Sequence, residues 1–313
     1  MERKRRIVLK DKQKFMGVIP AFYACYEDDG RVSPARTQAL CRYLMEKGVK
    51  GVYVCGSSGE CIYQSVEERM TVLENVMEVA RGRLTVIAHV AANSIEDSRR
   101  LAAHAQRQGV DAIAAIPPVY FKLPEHAIAQ YWNAISDAAP DTEFIIYNIP
   151  QLAGVALTSS LLREMLKNRN VVGVKNSSMP VLDIQNWKMI GGDDFIVFNG
   201  PDEQYLGGRV MGAEGGIGGT YGAMPELYVK LEELIRVRDL ETALRLQMRI
   251  NELIVLMCSC HGNMYAVIKE ILKARGVNAG TARPPLAQLI PEDGPKVRRC
   301  IEEIDRAVAE FVR

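Results

Sequence analysis

The sequence contains no long apolar run and no strong imbalance of charge. No window holds the run of about 18 uncharged apolar residues that crosses a bilayer, and the N-terminus lacks the apolar stretch of a secretory signal. Lysine and arginine together number 39 against 38 aspartates and glutamates, so nothing favours binding to nucleic acid, which depends on an excess of basic side chains. These absences predict a soluble, cytoplasmic protein that binds neither membranes nor nucleic acid.

Paired cysteines are also missing. The seven cysteines include no Cys-x-x-Cys pair, which argues against a zinc ribbon and a disulfide framework, so we expect reduced thiols. Cys258, Cys260 and His261 form a compact group inside the apolar run 253–265. We interpret them as helix packing residues because no fourth metal ligand is evident. The prediction is therefore that the protein has no metal site.

What is present is typical of a globular protein of ordinary composition. The chain has 313 residues, of which 48% are hydrophobic and 25% charged, values that allow a sizeable core. This length suits two average domains or one α/β barrel with an added segment. The only basic run, residues 2–6, is typical of a solvated arm.

Short runs rich in valine and isoleucine alternate with amphipathic stretches, a pattern that predicts βα units around a parallel sheet. Eight such units without a domain break favour an α/β fold of the (βα)8 TIM-barrel type, although an open doubly wound sheet remains an alternative. The eighth run is the weakest because it is rich in glycine. The predicted strands are 17–21, 51–55, 84–90, 112–116, 144–148, 171–175, 195–199 and 212–218.

Helix signals complete this scheme. Ser65 with Glu68, and Ser94 with Asp97, have the spacing of capping boxes at helix starts. Beyond the eighth unit, three further helices are predicted at 239–257, 264–275 and 296–312. We therefore expect an N-terminal arm at 1–14, the barrel at 15–237 and a C-terminal helical segment at 238–313.

Active sites of such barrels lie at the C-terminal ends of the strands, and two of these ends carry hydroxyl groups. Ser57 and Ser58 follow the second strand between two glycines, a loop whose free N–H groups could hold a carboxylate or phosphate. An ordinary Ser/Gly turn is the slightly favoured alternative on spacing alone. Tyr147 ends the fifth strand, where a rim or core aromatic is the simpler interpretation.

Charged residues mark two further strand ends. Lys175 closes the sixth strand, and inside a barrel poor solvation would lower the pKa of its amine and free it as a nucleophile. A solvent-exposed lysine is the commoner outcome. Asp202 and Glu203 follow the seventh strand just after a proline, where capping in the first turn of the next helix is the strong alternative. Together, an amine, a phenol, an anion-binding loop and two carboxylates suggest Schiff-base carbonyl chemistry.

In combination, five motifs resemble the pyruvate-dependent class I aldolases of the dihydrodipicolinate synthase and N-acetylneuraminate lyase superfamily. The resemblance covers nearly the whole chain and implies a barrel that uses no cofactor beyond a covalent Schiff base. The motifs are Gly-Ser-Ser-Gly-Glu at 56–60, Pro-Val-Tyr at 118–120, Tyr-Asn-Ile-Pro at 147–150, Gly-Val-Lys at 173–175 and Ala-Glu-Gly-Gly-Ile-Gly at 213–218.

The resemblance implies a role for each of these residues. Lys175 is expected to form the Schiff base, Tyr147 to transfer the proton with a relay through Ser58, and Ser57 with Ser58 to hold the substrate carboxylate. Tyr120 resembles the tyrosine with which members of the superfamily reach a neighbouring subunit's site. We therefore expect a homo-oligomer, a tetramer by family resemblance.

Within the superfamily, the sequence is similar to the sialic acid lyases. A synthase would carry an arginine two residues beyond the Tyr-Asn-x-Pro motif, where this chain has Leu152. Asp202 and Glu203 follow Gly200 as in the polyol-binding segment of the lyases. Further sugar contacts are expected from Ser177, the carbonyl of Gly200, and Gly219. The implied reaction is reversible cleavage of a sialic acid to pyruvate and an N-acylated hexosamine.

Three residues depart from the lyase pattern. Pro201 replaces the usual aromatic residue, Gly219 stands where a serine often contacts the substrate, and Ser58 replaces a threonine. They leave a second enzymatic hypothesis open, an aldolase or dehydratase for a 2-keto-3-deoxy sugar acid. A hypothesis of another class is a non-catalytic pyruvate or sialic acid sensor, which the presence of both Lys175 and Tyr147 disfavours.

Overall fold

The computed structural model describes residues 11–312, and its centre is a single sheet of eight parallel strands. The strands pair in the order β1-β8-β7-β6-β5-β4-β3-β2. Two backbone hydrogen bonds connect the β1 and β2 segments. The N–H of Phe22 donates to the carbonyl of Tyr53, and the N–H of Lys50 donates to the carbonyl of Val18, each at 2.9 Å. The sheet therefore closes into a barrel, and the alternative of an open sheet is wrong. The strands are β1 (Gly17–Pro20), β2 (Gly51–Val54), β3 (Thr85–His89), β4 (Ala112–Ala115), β5 (Glu143–Asn148), β6 (Val171–Asn176), β7 (Ile196–Asn199) and β8 (Gly215–Gly218).

Helices follow the strands and surround the barrel. The capping box at Ser65 is confirmed: its hydroxyl accepts from the N–H of Glu68, whose carboxylate accepts from Ser65. At Ser94 only the first half of the box forms: its hydroxyl accepts from the backbone N–H of Asp97 at 3.3 Å. The helices are α1 (Pro34–Glu46), α2 (Val66–Ala80), α3 (Ile95–Gln108), α4 (Glu125–Asp137), α5 (Pro150–Ala153), α6 (Ser159–Met165), α7 (Leu182–Gly191), α8 (Tyr205–Val210), α9 (Pro225–Arg236), α10 (Leu240–Cys258), α11 (Met264–Ala274) and α12 (Gly294–Phe311).

The eighth strand is shorter than the predicted run 212–218. Gly212 has a φ of +104° and belongs to the turn before the strand. At Gly215 a Cβ atom would lie 2.2 Å from the carbonyl oxygen of Gly17. Glycine is required there because the β8 backbone lies closely against that of β1.

Apolar side chains alternate between the two faces of the sheet. On β2, for example, Val52 and Val54 pack outward against the helices, whereas Tyr53 points into the barrel. Both faces are buried, which explains why the strands are nearly continuous apolar runs. The buried interior cluster contains Phe15, Ile19, Tyr53, Ile87, Ala112, Ala114, Ile145, Tyr147, Val172, Ile196, Phe198 and Ile217.

The N-terminal end of the barrel is closed by a short 3-10 helix, Lys12–Phe15. The ring of Phe15 packs edge-to-face on Phe198, with 6.2 Å between centroids. Lys14 forms ion pairs with Glu143 and Asp111 at 3.2 and 3.4 Å. The last residues of the predicted arm are thus bound to the barrel, while the basic run 2–6 lies outside the described residues.

The C-terminal helices share the hydrophobic core of the barrel helices. A buried ion pair joins the two parts: the Lys269 amine on α11 lies 2.6 Å from Glu60, and both side chains are fully buried. The other carboxylate oxygen of Glu60 accepts from the N–H of Arg283 at 2.7 Å, and Lys269 also donates to the carbonyl of Thr281 at 2.8 Å. Segment 238–312 is therefore anchored to the loop after β2.

Two general features concern the whole described range. From residue 11 to residue 312, no helix has the length and apolar character needed to cross a membrane. Within that range no three histidine, cysteine or acidic side chains are grouped so that they could hold a metal ion.

Cys258 at the end of α10 is exposed and its sulfur lies 3.8 Å from that of Met264, while the backbone N–H of His261 donates to Asp293.

We predict that Lys269→Met lowers the free energy of unfolding by roughly 3–5 kcal/mol, because it leaves the Glu60 carboxylate buried without its counter-charge. The double variant Glu60→Gln/Lys269→Met should regain part of this loss. Urea unfolding followed by circular dichroism measures both. Lys167→Met, which breaks an exposed ion pair with Glu164, is the matched control and should leave the midpoint unchanged. An equally small effect at both lysines would contradict the prediction.

Candidate active site

Lys175 lies on β6 with its side chain inside the C-terminal mouth of the barrel. The strand register places it level with Tyr147 on β5 and Phe198 on β7. Only 4% of Lys175 is exposed, and its Nζ atom lies 3.9 Å from the ring centroid of Tyr147 and 4.2 Å from that of Tyr53. The amine therefore rests against two aromatic faces.

This burial changes the protonation of the amine. Loss of hydration lowers the pKa of Lys175 to about 7, and the negative charge of Asp202 acts in the opposite direction. About half of the amine is then neutral at pH 7, compared with on the order of one in a few thousand for a lysine of ordinary pKa ~10.4. A neutral amine is the nucleophilic form, so the side chain is suited to attack a carbonyl carbon.

Tyr147 presents its hydroxyl to the loop after β2. Its oxygen lies 3.5 Å from Oγ of Ser57, at the outer limit of a hydrogen bond. Burial raises the pKa of Tyr147 to about 12, against the lowering effect of hydrogen bonds with Ser57 and Ser177. The phenol is therefore protonated at neutral pH and can act as a base only by passing its own proton on.

The loop 56–60 forms a tight turn over the Tyr53 ring. Cys55, the residue before the loop, has a φ of +58°, and Glu60, its last residue, has a φ of +54°. At Gly56 a Cβ atom would lie 2.6 Å from Cε1 of Tyr53, so only glycine allows the loop to lie on the ring. The carboxylate of Glu60 points away from the mouth to Lys269. The loop therefore offers hydroxyl and N–H groups to the site, and its acidic residue serves the fold.

Ser58 lies beside the loop after β8. A Cβ atom at Gly219, after β8, would be 3.1 Å from its Oγ atom. The Tyr23 hydroxyl donates to the carbonyl of Gly219 at 3.0 Å, and a hydrogen bond with Ser58 lowers the pKa of Tyr23, which burial raises. Ser57 thus faces the phenol of Tyr147, and Ser58 faces the end of β8.

Asp202 is fixed by the loop after β8. Its carboxylate accepts from the N–H and the hydroxyl of Thr220, each at 2.6 Å. Burial raises the pKa of Asp202 to about 6, and the hydrogen bonds from Thr220 lower it. Neither Asp202 nor Glu203 caps a helix, because the 3-10 helix Asp202–Gln204 has no side-chain cap. Both residues lie in the first turn of that short helix, as the alternative weighed from the sequence expects, but neither side chain forms a cap hydrogen bond there or at α8.

The other predicted sugar-binding residues divide into two groups. Ser177 and Gly200 are adjacent at the ends of β6 and β7, where a Cβ atom at Gly200 would lie 2.0 Å from the serine Oγ. Glu203 is exposed, and its carbonyl accepts from the Asn251 amide at 3.2 Å. Ser177, Gly200 and Gly219 thus lie around the same mouth as Asp202.

Tyr120 is the one predicted catalytic residue that lies outside this mouth. It is 90% exposed and has a φ of +87°. Its ring packs edge-to-face on Phe121, itself exposed, at 4.9 Å between centroids. The expectation that Tyr120 completes the site of a second subunit stays a prediction.

The comparisons with known proteins agree with this geometry. The model of the dihydrodipicolinate synthetase family matches residues 14–304. The chain belongs to this family. It is 61% identical over 311 residues to an N-acetylneuraminate lyase of Mediterraneibacter gnavus, a match that covers 99% of each chain. An N-acetylneuraminate lyase of Rhizobium meliloti is 32% identical, with 93% of this chain and 96% of the relative covered.

A solved structure of Ruminococcus gnavus wild-type sialic acid aldolase has a TM-score of 0.94 and 63% identity, with 95% of this chain and 99% of that chain covered. A catalytic lysine mutant of the same aldolase has a TM-score of 0.95 and 62% identity, with coverage of 96% and 99%. The expected superfamily and its barrel fold are confirmed.

Sequence reasoning missed two residues of this family member's site. Tyr53 and His89 lie inside the barrel, and both rings contact Tyr147 edge-to-face. Burial holds the pKa of His89 well below its usual range, so the imidazole is neutral. It lies 2.9 Å from the carbonyl of Cys55 and accepts from the N–H of Ile116 at 3.4 Å. His89 is the last residue of β3, and Tyr147 is the last but one of β5, so the strand-end criterion could have found His89.

We predict that Lys175 reacts as a neutral amine at much lower pH than the surface lysines. Reductive methylation with formaldehyde and cyanoborohydride, followed by peptide mass mapping, should give a Lys175 rate that levels off above pH ~8. The rate should fall as pH drops through about 7, because the ammonium form is unreactive. The surface lysines in the same digest are the control, and their rates should still be rising at pH 9. A Lys175 profile that matched theirs would contradict the prediction.

Proposed function

We propose that this protein is an N-acetylneuraminate lyase that reversibly cleaves N-acetylneuraminate to pyruvate and N-acetylmannosamine. The observation that carries the proposal is the Lys175 amine, buried against two tyrosine rings and close to half neutral at pH 7. The relatives named N-acetylneuraminate lyase, which are similar over nearly the whole chain, support the choice of substrate.

The reaction begins at the ketone of the open-chain sugar acid. The neutral amine of Lys175 attacks C2, and the adduct takes up a proton and loses water to give a protonated imine. The C3–C4 bond then breaks, with its electron pair passing into the imine, and the C4 hydroxyl loses its proton as the aldehyde forms. Protonation of the resulting enamine at C3 and hydrolysis release pyruvate. The imine is itself the electron sink, so the scheme uses neither a metal nor a cofactor.

Tyr147 accepts the proton of the C4 hydroxyl. Since its phenol is protonated in the free enzyme, it passes that proton to the substrate carboxylate or along a hydroxyl relay. Ser57 begins this relay, since its oxygen lies 3.5 Å from the Tyr147 hydroxyl, and the sequence-based route through Ser58 stays a prediction. Tyr120 of a second subunit would extend the relay, and the proposed homotetramer supplies it.

The two ends of the substrate are held by different loops. Ser57 and Ser58, with the N–H groups of their turn, hold the carboxylate of the pyruvate half. Ser177, Gly200 and Asp202 contact the sugar hydroxyls, with Glu203 at the outer edge and Gly219 leaving space beside Ser58. A cytoplasmic location accompanies this proposal as a prediction from the sequence.

Two other reactions are alternatives to the cleavage of N-acetylneuraminate. The altered Pro201 and Gly219 motivate a 2-keto-3-deoxy sugar acid, and release of pyruvate from that acid but not from N-acetylneuraminate would overturn the proposal. Dihydrodipicolinate synthesis is disfavoured because Leu152, which stands where a synthase carries arginine, is an apolar side chain exposed on α5.

We predict that pyruvate with borohydride leaves a reduced adduct on Lys175, located by mass after digestion. Lys175→Arg should abolish both this adduct and pyruvate release from N-acetylneuraminate, since guanidinium stays protonated. The matched control is Lys188→Arg, a lysine that bonds to Glu214 outside the mouth and should leave trapping intact. An adduct on another lysine, or none, would sink the assignment.

We predict that Tyr147→Phe lowers turnover of N-acetylneuraminate by roughly 10²–10⁴-fold, the usual contribution of a positioned proton-transfer group. Trapping of pyruvate at Lys175 should persist, because imine formation does not need the C4 proton acceptor. Tyr131→Phe, which alters another buried tyrosine hydroxyl bonded to Ser98, is the control variant. Wild-type turnover in Tyr147→Phe would show that the phenol has no role in proton transfer.

A further inference from the structure

The ring of Tyr53 is one wall of the space that holds the Lys175 amine. Tyr53 lies on β2, almost opposite β6 in the barrel, and is fully buried. The Nζ atom of Lys175 is 4.2 Å from its ring centroid and 3.9 Å from that of Tyr147. The two rings meet edge-to-face at 78° with 5.6 Å between centroids. A positive charge at this nitrogen would therefore contact two aromatic faces at once.

We propose that Tyr53 is a catalytic residue whose aromatic face stabilises the positively charged Schiff base on Lys175. This inference rests on the proposed function and extends it to a group that the reaction scheme above does not use. The attraction between a cation and the negative face of an aromatic ring is largest where water is excluded.

The charge in question arises during the reaction. The neutral amine, the C2 ketone and one proton give a protonated imine and one water molecule, so a neutral nitrogen becomes cationic in a buried place. Burial alone opposes that charge. A ring face attracts the cation more strongly than the neutral amine, and an interaction that is stronger in the intermediate than in the ground state accelerates the step.

The other titratable groups around Lys175 supply little compensating charge. Burial keeps His89 neutral and raises the pKa of the Cys61 thiol above its ordinary value, while Tyr147 is protonated. Asp202 is the nearby group that can be anionic, and its carboxylate is already engaged by two hydrogen bonds from Thr220. The aromatic faces are therefore a main source of cation stabilisation.

The Tyr53 hydroxyl contributes less than the ring. Among residues 11–312, this buried oxygen has no hydrogen-bond partner, so its removal breaks no bond. The ring edge, in contrast, packs against Gly56 of the anion-binding loop. A loss of function in Tyr53→Leu could thus come from a displaced loop, and the test must alter the charge distribution of the ring without altering its shape.

The experiment measures the equilibrium constant for imine formation from the pyruvate dependence of cyanoborohydride trapping at Lys175. Tyr53→Phe should retain this constant within about twofold. Replacement of Tyr53 by 4-fluoro-, 3,5-difluoro- and 3,4,5-trifluorophenylalanine should reduce it in steps, to roughly a tenth for the trifluoro ring, because fluorine withdraws charge from the ring face. Trapping measured from pH ~5.5 to ~9, on both sides of the Lys175 pKa of about 7, should show the apparent pKa of the amine falling in the same order.

Phe144 provides the matched control, since it is a fully buried ring that packs on the outer face of the sheet. Its replacement by 3,4,5-trifluorophenylalanine should leave the imine constant unchanged. If the imine constant stayed the same across the fluorinated series while the wild-type protein was trapped normally, the role of Tyr53 would be overturned and the proposed function would stand. Absence of any Lys175 adduct in the wild-type protein would instead overturn the proposed function. Thermal unfolding confirms that each variant is folded before it is compared.

Discussion

The burial of one amine in the mouth of the barrel is the constraint on which the rest of the site depends. Hydration that Lys175 loses on folding lowers its pKa to about 7, and this shift survives only while the walls stay apolar and the nearby charges stay few. Tyr53 and Tyr147 form those walls, and a neutral His89 packs behind them. The same low polarity that frees the amine as a nucleophile makes its later positive charge costly, so the walls must be aromatic as well as apolar.

The second constraint is the shape of the anion-binding loop. Left-handed φ angles at Cys55 and Glu60 are unfavourable for residues with a Cβ atom and persist only where surrounding contacts hold them. The imidazole of His89 contacts the Cys55 carbonyl, and the buried pair of Glu60 with Lys269 fixes the other end. The C-terminal helices thus hold the loop 56–60 in place at the mouth of the barrel. Glu60 of the motif 56–60 therefore serves the fold, while Ser57 of the same motif faces Tyr147.

Glycine positions explain how the loops approach one another around the mouth. Gly200 lies against Ser177, and Gly219 lies beside Ser58. Asp202 joins the loop after β7 to the loop after β8 through Thr220. Contacts therefore join the loops after β6, β7 and β8 into one arc, which meets the loop 56–60 where Gly219 lies beside Ser58.

The amino-acid sequence by itself determined the barrel and the rim on which the chemistry lies. Apolar runs at βα spacing predict parallel strands, and in a closed parallel barrel every strand ends at the same rim, so Lys175, Tyr147, Ser57 and Asp202 had to lie near one another. Only the tertiary structure decided that Ser57, and not Ser58, faces Tyr147, that Asp202 binds Thr220 instead of capping a helix, and that Tyr53 faces Lys175 across the barrel. These contacts join strands far apart in the chain, and they depend on the register and tilt with which the sheet closes, which local sequence patterns do not encode.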